Sequence, residues 1–568
     1  MNNTEIAKKF KLTAKLMELH GENDFKVRSY QKVVDIIKGM DDEFSEIDPK
    51  KITEIEGIGK GTADKILSML ETESFESLDQ LLAQTPEGVV EMLGISGFGP
   101  KKIAVLWKET GVETLDDLLV CCLEDKVAPI KGFGEKSQET LKKAVEFKID
   151  CRGKLRYAEA EAICQELVSE LKQMLPEGKI GETGAMRRRM DVVSVVEILV
   201  GFDDFDKVRE AMTAIETVEK MESLSGTFSC VAIHIKSKVK IRIRLCKAAE
   251  FDQTLMKTTG SARHLNAVLN SGRKLSEHIS VMNGGGERSV YEQLGMAYVE
   301  PELREGKFEL ELAQKNELPT LVEMSDLKGI LHNHSTYSDG KHTLRQMAEY
   351  CKSQGYEYLG ITDHSQTAVY ASGLQEFSVK QQQDEIQKLN EELAPFKIFS
   401  GIESDILADG SLDYPDAVLE SFDFIVSSVH SSLNMDINKA TNRLLAAIKN
   451  PYTTILGHMT GRLLLEREGY PVDHKEIIHA CAENNVVIEI NASPFRLDID
   501  WRWVRYAIEQ GVMLSVNPDA HSMKGYDNMY YGLLAGRKGG LTKEKTLNAM
   551  SLSEIEFFFT QRKVKIKA

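Results

Sequence analysis

The sequence predicts a multidomain α plus α/β chain, with a helical N-terminal region, a mixed middle region and a C-terminal α/β barrel. Three observations predict it. Over residues 1–150, apolar residues recur at helical spacing between short glycine turns. From residue 151 onward, β-branched runs alternate with helical stretches. In the C-terminal third, runs of this kind end on residues able to hold a metal ion. A length of 568 residues agrees with this division. One hydrophobic core stops growing near about 250–300 residues, and roughly 150 residues per domain gives a prior of about four domains.

Composition narrows the class. Hydrophobic content of 42% and charged content of 28% exclude a disordered or fibrous chain. The net charge of −17, from 71 Lys+Arg and 88 Asp+Glu, disfavours a wide basic patch for nucleic acid or an anionic membrane. It leaves room for a binder that uses a few local contacts. The eight cysteines show no C-x-x-C spacing, and Cys121 and Cys122 are adjacent, so reduced thiols are expected. The start MNNTEIAKKF has no apolar signal core, and no stretch approaches the roughly 18 apolar residues of a membrane span. A soluble cytoplasmic protein without a membrane partner is expected.

The helical region, divided at 1–85 and 86–150, carries an internal repeat. ITEIEGIGKGTADKI, LGISGFGPKKIAVLW and APIKGFGEKSQETLKK each place one apolar residue between two glycines and then start a helix. The pairs are Gly57/Gly59, Gly97/Gly99 and Gly132/Gly134. Glycine permits positive φ, and the free N–H groups of the turn and of the next helix start can hold a phosphate. Such a contact reads a nucleic-acid backbone and not its sequence. The repeat resembles the helix-hairpin-helix motif of DNA-repair proteins, which implies DNA-backbone binding at one or two of these turns.

In the middle region, EILVGF, CVAIHIKSK and VKIRIRLC read as strands. A Gly-rich stretch follows at 282–289, and the charged, proline-terminated segment 301–319 reads as a linker.

Beyond residue 325 the chain holds nine of its 13 histidines. LHNHSTYSDG contains His332, His334 and Asp339. Apolar runs then lead to His364, Glu403, His430, His458, and Asp519 with His521, while NVVIEINAS ends in Asn491. Buried parallel strands read as such runs, and a βα barrel gathers the C-terminal ends of its strands on one face. Six imidazoles and three carboxylates without thiolates suit Zn, Mn or Fe, and nine ligands are too many for one ion. Two or three divalent ions sharing a carboxylate clamp a phosphate and generate hydroxide. Arg462, just after His458, is a candidate to hold that phosphate.

Residues 325–568 resemble the PHP (polymerase and histidinol phosphatase) family, with all nine ligand positions filled by the expected types. The resemblance implies a distorted α/β barrel with a trinuclear site. It implies His332, His334, Glu403 and Asp519 at one ion, Asp339, His364, His458 and His521 at another, and Glu403 with His430 at a third. The whole chain resembles a bacterial family X DNA polymerase with a fused PHP domain. That implies a nucleotidyltransferase-like palm and thumb over 151–318, with KTTGSARHLNAVL and LGMAYVEPELREG as thumb segments. It also implies a metal-dependent 3′→5′ exonuclease, in some cases with cleavage at abasic sites.

The polymerase motifs depart from that family. G-S-x-R-R becomes Gly184-Ala185 followed by Arg187 and Arg188, which remain to contact DNA or phosphate. The D-x-D positions fall on Val195 and Glu197, the third carboxylate on Arg242, and the aromatic pair on Lys257-Thr258. Asp191 stands at the wrong offset for that strand's face, because strand side chains alternate. Two-metal transfer needs carboxylates at both ions, so loss of polymerase activity is expected. Lys65 matches the position of a Schiff-base lysine that would act on a 5′-deoxyribose phosphate.

The leading expectation is therefore a metal-dependent phosphoesterase acting on DNA ends, gaps or abasic sites in repair. An active gap-filling polymerase, a small-molecule phosphatase of histidinol-phosphatase type and a non-catalytic DNA-binding scaffold are the alternatives. The missing carboxylates weigh against the first, the three glycine turns against the second and the full ligand set against the third.

Overall fold

The computed structural model describes residues 1–40, 42–219, 222–223, 229–281 and 285–567. Part of the Gly-rich stretch noted above, residues 282–284, lies outside them. The chain forms two compact units, Met1–Arg152 and Gly153–Ala568.

The first unit is helical: α1 (Asn3–Leu19), α2 (Asp24–Gly39), α3 (Lys60–Thr72), α4 (Glu76–Ala83), α5 (Glu87–Met92), α6 (Pro100–Thr110), α7 (Leu115–Leu123) and α8 (Glu135–Cys151). A capping box between Asn2 and Glu5 satisfies the free N–H groups at the start of α1. Each glycine turn runs directly into a helix, with Gly59, Gly99 and Gly134 at the N-caps of α3, α6 and α8. One hydrophobic core runs from Ile6 to Val145. The two helical domains expected from the repeat thus share a single interior.

In the second unit, β1 (Leu155–Arg156) pairs with β3 (Val192–Val193) beside a five-stranded mixed sheet. That sheet comprises β2 (Lys179–Glu182), β4 (Val195–Gly201), β5 (Glu222–Ser223), β6 (Ser229–Ile233) and β7 (Lys240–Cys246), in the order β2-β4-β7-β6-β5. Helix α9 (Tyr157–Met174) buries Ala160, Cys164, Leu167 and Leu171 against it. The charged 301–319 segment is folded, in contrast to the expected linker. Leu303, Leu310 and Ala313 join a small helical core, and the fully buried Arg304 pairs with Glu287 at 2.6 Å. Its charges are matched internally, which is why its composition reads as exposed.

The barrel consists of β8 (Gly329–Ile330), β9 (Tyr358–Ile361), β10 (Lys397–Asp405), β11 (Phe424–Ser428), β12 (Ile455–Leu456), β13 (Val487–Asn491) and β14 (Leu514–Asn517). These seven strands are parallel and lie in sequential order. Just past the edge strands β8 and β14, a parallel bridge between Asn333 and Ala520 nearly closes the ring. The opposite end is filled by the C-terminal helix, Leu552–Lys567. Its Phe559 ring stacks 5.1 Å from Phe424 and meets Phe399 edge-on at 5.2 Å.

The middle region docks on the barrel. Arg156 donates to the Leu464 carbonyl at 3.1 Å, pairs with Glu466 and lies 4.2 Å over the Phe495 ring. From the barrel, the buried Lys538 donates to the carbonyls of Arg188 and Glu302 and to Glu305. Burial lowers its pKa to about 8, against the pull of Glu305.

Truncating a buried Phe costs about 3–5 kcal/mol. Phe559→Ala is therefore expected to lower the urea midpoint of unfolding by an amount equivalent to about 3 kcal/mol. Because the metal-capable residues lie at the other end of the barrel, metal content at saturation should be unchanged.

Candidate metal centre

Each strand delivers its chemistry at its C-terminal end. His332 follows β8, His364 follows β9, Glu403 lies in β10, and His430 follows β11. His458 follows β12, and Asp519 and His521 follow β14. Two of these residues, His332 (φ 65°) and Asp519 (φ 52°), adopt left-handed backbone, which non-glycine residues rarely do. Strain of this kind persists only where surrounding contacts over-determine it.

Those contacts converge on Glu403, whose side chain is fully buried. Its carboxylate lies 3.0 Å from His364 and His458, 3.2 Å from His430, 3.3 Å from His332 and 3.7 Å from His334. Asp519 stands 3.1 Å from His334 and 3.6 Å from His332. Asp339 reaches His521 at 3.4 Å, His364 at 3.7 Å and His334 at 3.9 Å. All nine sequence-identified residues are thus gathered in one cluster.

The electrostatics follow from this crowding. Burial opposes charge on Glu403, yet the surrounding imidazoles hold its carboxyl well below the usual range. Burial also opposes charge on His332, but Glu489, Glu403 and Asp519 raise its pKa well above normal. His334 behaves oppositely, because burial and the neighbouring His521 and His364 lower it to about 3.

Three supporting carboxylates were missed in the sequence. Glu489 accepts from His332 Nδ1 at 2.6 Å and from Asn517 at 3.0 Å. Asp405 accepts from His430 Nδ1 at 2.5 Å. Asp363 is bonded by Ser335, Ser338 and Gln382 and holds the loop that carries Asp339. A parity reading finds the first two. Asp405 lies two residues after Glu403, and Glu489 two before Asn491, so each pair shares a strand face.

The donor set fits divalent metal ions. His332 Nε2, His334 Nδ1, His364 Nδ1, His458 Nδ1 and Glu403 Oε2 are buried with no hydrogen-bond partner among the described residues. Orphaned buried polar atoms are costly, and coordination would satisfy them. Three groups lie close enough together to hold an ion: His334, Asp339, His364 and His521; His332, His334 and Asp519; and His364, Glu403 and His430. This differs from the partition implied by resemblance. His334 and not His458 joins Asp339, because His458 Nε2 is turned to Glu403.

Arg462 does not face the cluster as expected. Its guanidinium donates to the carbonyls of Arg496 and Leu497 and to Asp500, and lies 3.7 Å from Asp191 of the middle region. The cation beside the cluster is Arg496, 3.9 Å from Asp519.

The corresponding positions of the middle sheet hold no such centre. Among the described residues, all three metal-capable groups lie in the barrel. Glu197 and Arg242 are register partners on β4 and β7. The Glu197 carboxylate lies 3.3 Å from Arg242 and 2.9 Å from Arg244. Val195 sits opposite Lys240, and Ala185 lies in the short helix Gly184–Arg187. Arg187 and Arg188 are engaged in ion pairs within the chain. Arg187 grips Glu287 and Arg188 binds Glu305. Burial opposes charge on Glu287, yet Arg187 and Arg304 hold its carboxyl at about 2.

In the helical unit, Gly57, Gly97 and Gly132 take φ of 85°, 80° and 93°. A Cβ built at Gly59, Gly97, Gly99, Gly132 or Gly134 would meet nothing within 4 Å, so these turns are open to an approaching backbone. Lys65 is half-buried, with its amine donating to the Gly61 carbonyl at 2.9 Å and lying 5.8 Å from the Tyr30 ring.

Fold and site together define a PHP-domain metal-binding phosphoesterase joined to helix-hairpin-helix domains. Family profiles agree: a helix-hairpin-helix domain matches residues 1–75, a SAM-like helix-hairpin-helix tandem 89–146, and the PHP domain 331–493. The chain is 34% identical to the DNA polymerase/3'-5' exonuclease PolX of Bacillus subtilis (strain 168), covering 98% of this chain and 99% of the relative. Two shorter relatives match part of this chain. A probable phosphatase of Thermoanaerobacter sp. (strain X514) is 27% identical over 42% of this chain and 98% of its own length. A probable phosphatase of Vibrio atlanticus is 29% identical over 34% of this chain and 79% of its own length. The chain belongs to the PolX family, the family-X-like DNA polymerases with helix-hairpin-helix domains and a C-terminal PHP domain.

Carboxylates that orient ligating histidines typically contribute about 10–100-fold to metal affinity. Glu489→Ala, which removes the acceptor at His332 Nδ1 and touches no proposed ion, should weaken binding within that range. Competitive titration of the metal-free chain against a chelator indicator checks it.

Proposed function

We propose that this chain is a metal-dependent DNA phosphodiesterase, a 3′→5′ exonuclease of DNA repair, and that its nucleotidyltransferase-like palm and thumb have lost polymerase activity. The carrying observation is the contrast between the two acidic centres. The barrel offers Glu403 to five imidazoles, while the middle sheet holds Glu197 between Arg242 and Arg244. A carboxylate neutralised by two guanidinium groups has no charge left for a cation, and no partner carboxylate stands at Val195 or Arg242.

Two or three divalent ions (Zn, Mn or Fe) at the barrel residues would supply an activated water and neutralise phosphate oxygens. The remaining work belongs to the chain. Glu489 and Asp405 fix the Nδ1 sides of His332 and His430, so each Nε2 faces the cluster. Asn491 donates to Asp519 Oδ2 at 3.0 Å, leaving Oδ1 toward the histidines. Arg496, in place of Arg462, is positioned to take the substrate phosphate, whose oxygens match a guanidinium bidentately. The open glycine turns would grip DNA by its backbone, a kind of contact that suits ends, gaps and abasic sites alike.

The double variant His332→Ala/His334→Ala should lose 3′→5′ nuclease activity while DNA binding by gel shift persists. A double variant that still degrades DNA overturns the assignment. Primer extension with Mn²⁺ and four nucleotides should give no incorporation, and measurable extension would refute the loss of the palm site. Turnover should favour single-stranded oligonucleotide over a small phosphomonoester. Binding through a few backbone contacts also predicts a shallow dependence of log K on log salt, compared with the slopes near −10 of broad basic binders.

A further inference from the structure

We propose that Tyr370 is the stacking platform for the terminal base of the strand whose phosphodiester lies at the barrel's metal centre. This rests on the nuclease reading above and specifies how that site grips its substrate.

Tyr370 follows His364 on the loop leaving β9, in a 3-10 turn spanning Val369–Ala371. Its side chain covers no core: Tyr370 is 69% exposed and Val369 is 82% exposed. Yet the ring is not remote from the chemistry. Its centroid lies 5.9 Å from the His364 ring and 6.3 Å from the His430 ring, edge-on to both. The ring thus lies against two candidate ligands, and most of its surface faces solvent.

The turn beneath it is rigidly built. Gly373 N–H donates to the Ala368 carbonyl at 3.1 Å, and Leu374 N–H to the His364 carbonyl at 2.8 Å. Thr367 donates to Asp413 through N–H and hydroxyl, and its hydroxyl also reaches Asp405 at 3.1 Å. A Cβ at Gly373 would lie 1.9 Å from the Ser365 carbonyl oxygen, so the loop closes as tightly as backbone permits. Asp405 is the same carboxylate that holds His430. Turn and imidazole are therefore set in one register, and the aromatic ring is pre-organised relative to the metal cluster.

A fixed aromatic beside a phosphodiester-cleaving site has a direct use with nucleic acid. Every base presents a π-face, so stacking grips a strand end without reading sequence. Arg496 flanks the cluster near Asp519, so a phosphate held there could keep its attached nucleoside over Tyr370.

The test uses the full-length metal-loaded enzyme, Tyr370→Ala and Tyr370→Phe. Two single-stranded oligonucleotides are compared, one ending in a normal 3′ nucleotide and one in an abasic tetrahydrofuran residue. For the normal end, Tyr370→Ala should raise KM about 10-fold, the effect expected of one lost base–aromatic stack, with little change in kcat. On the abasic end it should match the wild type, and Tyr370→Phe should behave as wild type on both. Equal loss on both ends, or a Phe variant as weak as the Ala variant, overturns the proposal alone. A metal-loaded wild type inactive on both oligonucleotides overturns the nuclease reading and the proposal with it.

Discussion

The barrel depends on one buried charge. Glu403 is fully buried in β10, and a carboxylate in that position is tolerable only if its surroundings compensate it. Five imidazoles surround it, each brought from the end of a different strand or from the loop after β8, and His430, His332 and His364 hold its charge. The next layer compensates the compensators. Glu489 balances His332, Asp405 balances His430, and Asp363 fixes the loop of Asp339 through three bonds. The left-handed backbone at His332 and Asp519 persists because this network determines where both side chains must go.

The middle region shows the same physics with the opposite outcome. Glu197 occupies a partly buried position on β4 and is also compensated, but by Arg242 and Arg244 from the neighbouring strand. Where the barrel matches a carboxylate with neutralisable imidazoles, the sheet matches it with permanent cations. An imidazole releases its proton to a metal, whereas a guanidinium does not. The two arginines of the helix start at Gly184 are likewise closed by Glu287 and Glu305. The middle region is fastened to the barrel through Arg156, Lys538 and Arg462, close to the loop that carries Arg496.

Much of the fold was legible because its signals are local. Three glycine pairs preceding helices mark the turns, and apolar runs ending in His, Asp or Glu mark strands whose C-terminal ends must share one face. The offset of Asp191 from Val195 and Glu197 also rests on strand parity, a local signal, while the pairing of β4 with β7 that sets Glu197 opposite Arg242 is tertiary. The linker reading of 301–319 failed because its charges find partners distant in sequence, such as Arg304 with Glu287 and Glu309 with His264.

Sequence alone therefore determined the residue types available to a metal, their placement at strand ends, and the side chains of Val195, Glu197 and Arg242 in the middle sheet. Tertiary structure alone decided which imidazole meets which carboxylate, and so placed His334, and not His458, in a group with Asp339. It also decided that Arg462 is held by Asp500 and backbone carbonyls while Arg496 stands beside the cluster. The physical reason is range. Periodicity and parity are set by neighbours a few residues apart, whereas the direction of a long charged side chain is set by whichever opposite charge the folded chain brings within reach.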